Sequence, residues 1–402
     1  MRRYRIAYLA SHPIQYQAPM LRHLNRHPRI EIEALFLSDF SVRGYRDPGF
    51  GTDISWDVPL LDGYDHRFLP SLDQVDGMSV LRPLTYGIAS ALRSGNYDAL
   101  WVHGYGHHAY LRAMATARAL GLTVMLRGDS NIRRQRSMAR QLAKKVVLRG
   151  LFRLPHALLA VGTLNRDYYR AYGVPDERIF MTPYAVDNEY FRESAERSRA
   201  RAPELRASLD IRDDGPIIFM CGKLQRIKRP LDLLDAYERM LMARRFESTP
   251  YLLYIGDGEM ASVLRKRIAQ KGLDRVRMLG FLNQSELPSY YHLGDIIVMP
   301  SERDAWGLSI NEAMNAGVAV VVSDQVGCSP DLVLEGETGY TVPVNDIAAL
   351  SERLARLCAD RQLVARMAQR GRELIDAWSF EACADGVLAA LDRRVLELEE
   401  EQ

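Results

Sequence analysis

The fold turns on residues 296–317, IIVMPSERDAWGLSINEAMNAG. Ile296 to Met299 are four apolar residues that read as a buried strand. Pro300 ends the run, and a polar loop continues as far as Gly307. From Leu308 or Ser309 the spacing turns helical, and Gly317 is a usual helix stop. A strand that runs through a loop into a helix start is the repeating unit of a doubly wound α/β sheet, where ligands sit beyond the carboxyl ends of the strands. Free amide N–H groups at such a helix start favour an anion, and Gly307 permits close backbone approach. Asp304 precedes the helix, and Glu312 lies about one turn inside it, roughly 6 Å further along. Two carboxylates therefore bracket a phosphate-sized site, and each accepts hydrogen bonds from hydroxyls. A ligand with diols either side of a diphosphate, such as a nucleotide sugar, meets that pattern. An ordinary helix start with two solvated acids has the same sequence.

The alternation extends in both directions. Residues 217–220, 252–255, 276–279 and 318–322 are strand-like, while 231–242, 260–271 and 309–316 have helical spacing. In the N-terminal half, strands are expected at 5–10, 32–37, 99–103, 123–126 and 157–161, with helices at 18–25 and 109–120. Two doubly wound α/β units in tandem follow. The expected division is a first domain over 1–190, a charged linker over 191–205 and a second domain over 206–376. A C-terminal helix within 377–402, strongest at 381–398, is expected to pack back towards the first domain. Residues 40–72 break the alternation with Gly44, Pro48, Gly49, Gly51, Pro59 and Gly63 among aromatics. That long excursion is of a kind that often serves function.

Composition narrows the classes. Of 402 residues, 47% are hydrophobic and 26% charged, which is ordinary for a soluble globular protein. A net charge of +2 gives no field that favours nucleic acid, and no such partner is expected. Cys221, Cys328, Cys358 and Cys383 form no CxxC pair and have no histidine at metal-ligand spacing, so they read as reduced core thiols. The apolar run 6–10 is too short for a signal-peptide core. No stretch approaches the ~18 apolar residues of a membrane span. A cytoplasmic location is expected. There is no Asp-x-Asp, so no carboxylate-held divalent cation and no cofactor is expected.

A diphosphate needs cations nearby. Residues 221–230, CGKLQRIKRP, follow the strand at 217–220 and offer Lys223, Arg226, Lys228 and Arg229. Positive charge there would meet the charge that develops on a leaving diphosphate; solvated loop cations read the same way. Gly256 and Gly258 around Asp257 are a weaker phosphate-turn signal.

These residues together resemble the retaining glycosyltransferases of family 4, whose signature is an acid, seven spacers and Glu. Asp304 to Glu312 has that spacing, framed by Pro300-Ser301, Trp306-Gly307-Leu308 and Glu312-Ala313-Met314. Gly222-Lys223-Leu224 with Lys228 is similar to the family's diphosphate loop, with Arg229 where Gly is common. Gly280-Phe281-Leu282 resembles the loop that meets the base, and Thr338-Gly339-Tyr340 with Val342, Pro343 and Asp346 the usual end of the domain. The resemblance covers residues 184–350. It implies the GT-B fold, two facing Rossmann-like doubly wound domains with a cleft between them, and a nucleotide-diphosphate sugar, UDP- or GDP-linked, as donor. It also implies that Asp304 holds the donor sugar, Glu312 the ribose, and Phe281 and Leu282 the base. Gly222, Lys223, Lys228 and the backbone around Trp306, Gly307 and Leu308 then meet the diphosphate. Asp304 departs from the usual Glu and is one methylene shorter. Lys223, Lys228, Asp304 and Arg127 are the candidates to act at the reacting centre.

The family's first domain binds the acceptor, a glycan or a lipid-linked hydroxyl in polysaccharide, lipopolysaccharide or glycolipid assembly. His12 and Gln15 follow the first strand and His107 and His108 a later one; each is a cleft candidate or a structural residue. Some relatives carry a histidine near Arg127. The run 104–109, GYGHHA, fits GxGxxA with Asp129 about twenty residues on, a pattern shared with nicotinamide-dependent oxidoreductases. Residues 130–154 carry eight basic residues and no acid. They make a solvated basic helix or a surface for anionic lipid, with peripheral contact at the inner face of the plasma membrane. A sugar-nucleotide epimerase or a phosphorylase on the same fold, the oxidoreductase, and a non-catalytic nucleotide-sugar binder are the rival readings.

Overall fold

The computed structural model describes residues 2–73, 75, 77–133, 138–243 and 246–400, without the side chains of 138–143. The chain divides into two compact units. The first comprises Met1–Tyr45, Ile54–Val186 and Trp378–Gln402; the second comprises Arg46–Asp53 and Asp187–Ala377.

In chain order the strands up to residue 186 are β1 (Tyr4–Ala10), β2 (Ile30–Phe36), β3 (Tyr45–Asp47), β4 (Thr52–Ile54), β5 (Asp65–Phe68), β6 (Ala99–His103), β7 (Thr123–Gly128), β8 (Ala157–Ala160) and β9 (Ile179–Met181). The first unit's sheet runs β5-β2-β1-β6-β7-β8-β9, and its neighbours pair in parallel. Side chains alternate across it. Ile6 and Tyr8 share one core with Phe380, Cys383 and Val387 of the helix Phe380–Glu400. Ala7 and Leu9 face the opposite core with Ile88, Leu92 and Ala113. Because both faces are covered, the central strands are mostly apolar, while edge strand β5, Asp65–Phe68, is largely polar and exposed.

The second unit contributes β10 (Ile217–Cys221), β11 (Tyr251–Ile255), β12 (Val276–Gly280), β13 (Ile296–Met299), β14 (Ala319–Ser323) and β15 (Gly339–Val342). Its parallel order is β12-β11-β10-β13-β14-β15. Ile218 and Met220 pack with Leu233, Leu234 and Tyr237 of the helix Pro230–Ala243. In this order the connections reverse direction between β10 and β13, the switch point at which such sheets bind ligands.

Two stretches differ from the sequence reading. Residues 191–205, expected as a linker, lie within helix: Asn188–Ser198, a 3-10 turn at Arg199–Arg201 and Ala202–Ser208. Asp187 caps the first of these by accepting from the Tyr190 amide at 3.0 Å, and Phe191, Ala195 and Ser198 turn inward at helical spacing. The charges that suggested a linker line the outer face, and Pro203 sits in a first turn, where a missing N–H costs little. The excursion 40–72 is not a bare loop either. It holds a short helix (Phe40–Arg43), the two-stranded β3-β4 sheet and edge strand β5.

Candidate active site

The second unit's switch point is built by two loops. The loop after β10 runs beside the turn after β11, with the Gly222 amide donating to Ile255 O at 2.9 Å and the Leu224 amide to Asp257 O at 2.8 Å. This close approach needs Gly256, at φ +135°, because a Cβ there would lie 1.9 Å from Gly222 O. Beyond Leu224, Arg226–Lys228 forms a 3-10 turn closed by Arg229 at φ 56°. A left-handed conformation of this kind is one that glycine adopts without strain. Arg229 is held there by Asp232, 2.8 Å away.

The loop after β13 meets this turn. The Glu302 amide donates to Ile227 O at 2.9 Å, and Lys228 Nζ lies 2.5 Å from Asp304 Oδ2. The sequence-named cation and acid are thus one ion pair that joins both loops. The other oxygen of Asp304 accepts from the Trp306 amide at 3.2 Å. Gly307, at φ +102°, caps the helix Leu308–Ala316, and a Cβ there would lie 3.0 Å from Met299 Sδ.

Glu312 lies inside that helix and is buried. Its Oε2 accepts from the Tyr291 hydroxyl at 2.5 Å and its Oε1 from Gln284 Nε2 at 3.2 Å. Burial raises its pKa to about 7, against the opposing pull of these two hydrogen bonds. Tyr291 also approaches Cys221 Sγ at 3.2 Å, and burial pushes that thiol up to about 12, so it stays neutral. Lys223 Nζ lies 2.8 Å from Asp47 Oδ1, and Phe281 meets Phe50 edge-on with ring centroids 5.0 Å apart. Leu282 is half-buried beside Phe281.

Not every residue named from the sequence stands where its reading placed it. Trp306 is only 3% exposed, and its indole donates to Asn311 Oδ1 at 2.9 Å, so it is a core anchor for the loop. Tyr291, Gln284, Asp47 and Phe50 were not named. Tyr291 and Gln284 lie 21 and 28 residues from Glu312, and Asp47 lies 176 from Lys223, so no local spacing signals them. Among the described residues, no group of three or more His, Cys, Asp or Glu gathers as a metal site.

In the first unit the connections reverse between β1 and β6. The Tyr8 hydroxyl donates to Gln17 Oε1 at 2.9 Å, and Gln17 Nε2 lies 2.8 Å from His103 Nε2. Burial, with Arg127 and His12 adding, holds the His103 pKa down to about 3, and the ring is neutral. His12 stands over Phe40, with ring centroids 4.2 Å apart, and lies 2.9 Å from Ser11 Oγ. Gln15 is half-buried in the same turn.

Arg127 is 1% exposed. Its Nη2 donates to Thr182 O and Pro183 O at 2.9 and 3.1 Å, and its guanidinium lies 4.7 Å from the Tyr184 ring centroid. It is a core cation held on carbonyls and aromatic faces. His107 is buried too, and its Nδ1 accepts from the Ala109 amide at 3.1 Å as the cap of the helix His108–Ala119. The His108 amide donates to Val80 O at 3.0 Å, and its ring stacks on His107. The GxGxxA run follows β6, the fourth strand of the order, whereas a dinucleotide fingerprint opens the first βαβ unit.

Of the basic segment, Arg134 and Arg136 lie outside the described residues, as do the side chains of Met138, Arg140 and Leu142. The rest of the helix Met138–Leu151 exposes Lys145 and Arg149 beside Val146 and Val147, with Arg153 exposed just beyond it. No helix among the described residues is long and apolar enough to cross a membrane.

Comparison with known proteins follows this geometry. The chain is 29% identical over 241 residues to the alpha-D-kanosaminyltransferase of Streptomyces kanamyceticus, covering 60% of each. It is 30% identical over 189 residues to the lipopolysaccharide core biosynthesis glycosyltransferase LpsE of Rhizobium meliloti, covering 46% of this chain and 52% of that protein. The chain thus spans between half and three fifths of the length of these relatives. The crystal structure of Anabaena HepE in complex with UDP superposes with a TM-score of 0.73 at 15% identity, over 98% of this chain and 100% of that one. This likeness shows the fold, two Rossmann-like α/β units of the GT-B kind. The family model for glycosyl transferases group 1 matches residues 201–374, the stretch that carries Lys223, Lys228, Asp304 and Glu312.

Proposed function

We propose that the protein is a glycosyltransferase that moves a sugar from a nucleotide-diphosphate donor to a hydroxyl acceptor with retention of configuration. The observation that carries this reading is the convergence, at the β10/β13 switch point, of two cationic side chains, a helix start and two carboxylates with separate partners. Lys223 and Lys228 meet the donor diphosphate with the amides of the helix Leu308–Ala316. Glu312, already accepting two hydrogen bonds, accepts from the ribose hydroxyls. Asp304, fixed by Lys228, accepts from the donor sugar. Phe281 and Leu282 border the base, uracil or guanine. HepE is a structure with UDP bound, which supports a UDP-linked donor.

In the transfer the bond between the anomeric carbon and the diphosphate oxygen breaks, and its electron pair stays on the phosphate. The acceptor oxygen bonds the same face of the carbon, and its proton passes to the leaving phosphate oxygen. No protein nucleophile is required. The match to LpsE supports an acceptor in lipopolysaccharide or related polysaccharide and glycolipid assembly. Exposed valines among the cations of the helix Met138–Leu151 support peripheral contact with anionic lipid at the inner face of the plasma membrane, from the cytoplasm.

The test is transfer from UDP- and GDP-sugars by the wild type, Glu312→Ala and Lys228→Ala. Both variants are expected to stay folded and to lose transfer. Normal turnover by both would sink the site assignment.

A further inference from the structure

The segment Arg46–Asp53 has no role in the proposed transfer, yet it clusters with the second unit on the loop that carries Lys223. Asp47 is 6% exposed. Its Oδ1 accepts from the amides of Gly49 and Phe50 at 2.7 and 3.0 Å, so the turn fixes its own carboxylate. Both carboxylate oxygens also accept from Lys223 Nζ, at 2.8 and 2.9 Å. Burial opposes its charge, but Lys223 and the two amides outweigh it and hold the carboxyl below the usual carboxylate range. The same ammonium lies 5.0 Å from the centroid of the Phe50 ring, which in turn meets Phe281. The fit is close: a Cβ on Gly49 would come within 2.6 Å of Lys223 Cδ.

This short segment therefore engages two of the proposed donor contacts at once, an anion on the diphosphate cation and an aromatic ring on the phenyl that borders the base. We propose that residues 46–53 are a gate on the nucleotide site, in which Asp47 is the counter-ion of Lys223 until a nucleoside diphosphate displaces it. The gate rests on the reading of Lys223 and Phe281 as donor contacts. Its logic is ion exchange. A half-buried ammonium taken from Asp47 must receive another anion, or it is left uncompensated. A diphosphate brings that charge and a nucleoside does not. Asp47 keeps the Gly49 and Phe50 amides after Lys223 has gone, so opening strands neither group. Closed gates lower apparent affinity by the fraction of molecules that are open.

Calorimetric titration of the full chain with UDP and GDP tests this, using the wild type, Asp47→Asn, Lys223→Ala and the double variant. Asn retains the oxygen that the turn needs and loses the charge. Asp47→Asn is expected to bind the nucleotide about fivefold tighter than the wild type, the gain from removing a closed state about four times as populated as the open one. On the Lys223→Ala background the gain is expected to vanish. Equal or weaker binding by Asp47→Asn, or a gain that persists on the Lys223→Ala background, overturns the gate and leaves Asp47 a clamp that orients Lys223. A wild type that binds neither UDP nor GDP overturns the donor-site reading itself, and the gate with it.

Discussion

Both units reverse their connections beside the strand that comes first in the chain, β1 in one sheet and β10 in the other, and they furnish that place in opposite ways. Beyond β10 and β13 the side chains are charged, paired and within reach of solvent: those of Lys223, Lys228 and Asp304 are 37%, 25% and 15% exposed. Around β1 and β6 the groups are buried or half-buried and mostly neutral, a Tyr8–Gln17–His103 chain with the cation Arg127 set on carbonyls. A shared topology offers the same opening twice, and loop composition decides whether it receives an anion or is filled from within. In the second unit substitutions are therefore expected to cost binding and rate, and in the first unit stability.

The largest contrast comes from one charge in each place. Lys228→Ala is expected to lower transfer about 100- to 1,000-fold, the scale of losing one preorganised electrostatic contact, with little change in melting temperature. Arg127→Lys keeps the charge but loses the fork that spans Thr182 O and Pro183 O. It is expected to lose about 3 kcal/mol of stability in denaturant unfolding. An Arg127→Lys protein of unchanged stability that cannot transfer would break the contrast and put Arg127 at the reacting centre.

Next comes pH. Hydroxyl donors favour the charged form of Glu312, whose pKa is raised to about 7. Nucleotide affinity is then expected to fall about tenfold per pH unit as pH drops below 7, and Glu312→Gln to flatten the profile. Stability moves the other way. A carboxyl whose folded pKa is raised contributes fully below its unfolded pKa of about 4.5, and that contribution is lost as pH rises through about 7. The smallest effect concerns the first unit again. Tyr8→Phe removes the donor from Gln17 and is expected to cost about 1 kcal/mol in the same unfolding measurement. A larger loss in transfer than in stability would mean that the Tyr8–Gln17–His103 chain does more than fill space.

The strand–helix alternation and the loop–helix start at 300–317 were legible because their signals are local: apolar runs, Pro300, Gly307 and Gly317. The pairing of Lys228 with Asp304 was legible only as two separate motifs, since nothing in their spacing brings β10 beside β13. The resemblance places the backbone around Trp306 at the diphosphate, but nothing in it signals that the indole finds Asn311 and anchors the loop. Arg127 is a candidate by resemblance alone and His107 has both a cleft and a structural reading; the structure holds the one on carbonyls 55 and 56 residues away and makes the other a helix cap. The segment 191–205 was misread because charge density conceals a helix whose inward face has only a few small or aromatic residues.

The return of the helix Phe380–Glu400 to the first unit has a consequence for synthesis. Tyr4 donates to Asp392 at 2.7 Å across 388 residues, and Ile6 and Tyr8 need Phe380 and Cys383 to close their core. A ribosome making this chain delivers β1 before the second unit and the helix that covers it after that unit. The part of that sheet face which the helix Gln17–Arg26 does not cover must then stay apolar and open while the second unit emerges and folds, which exposes it to aggregation until the helix Phe380–Glu400 arrives.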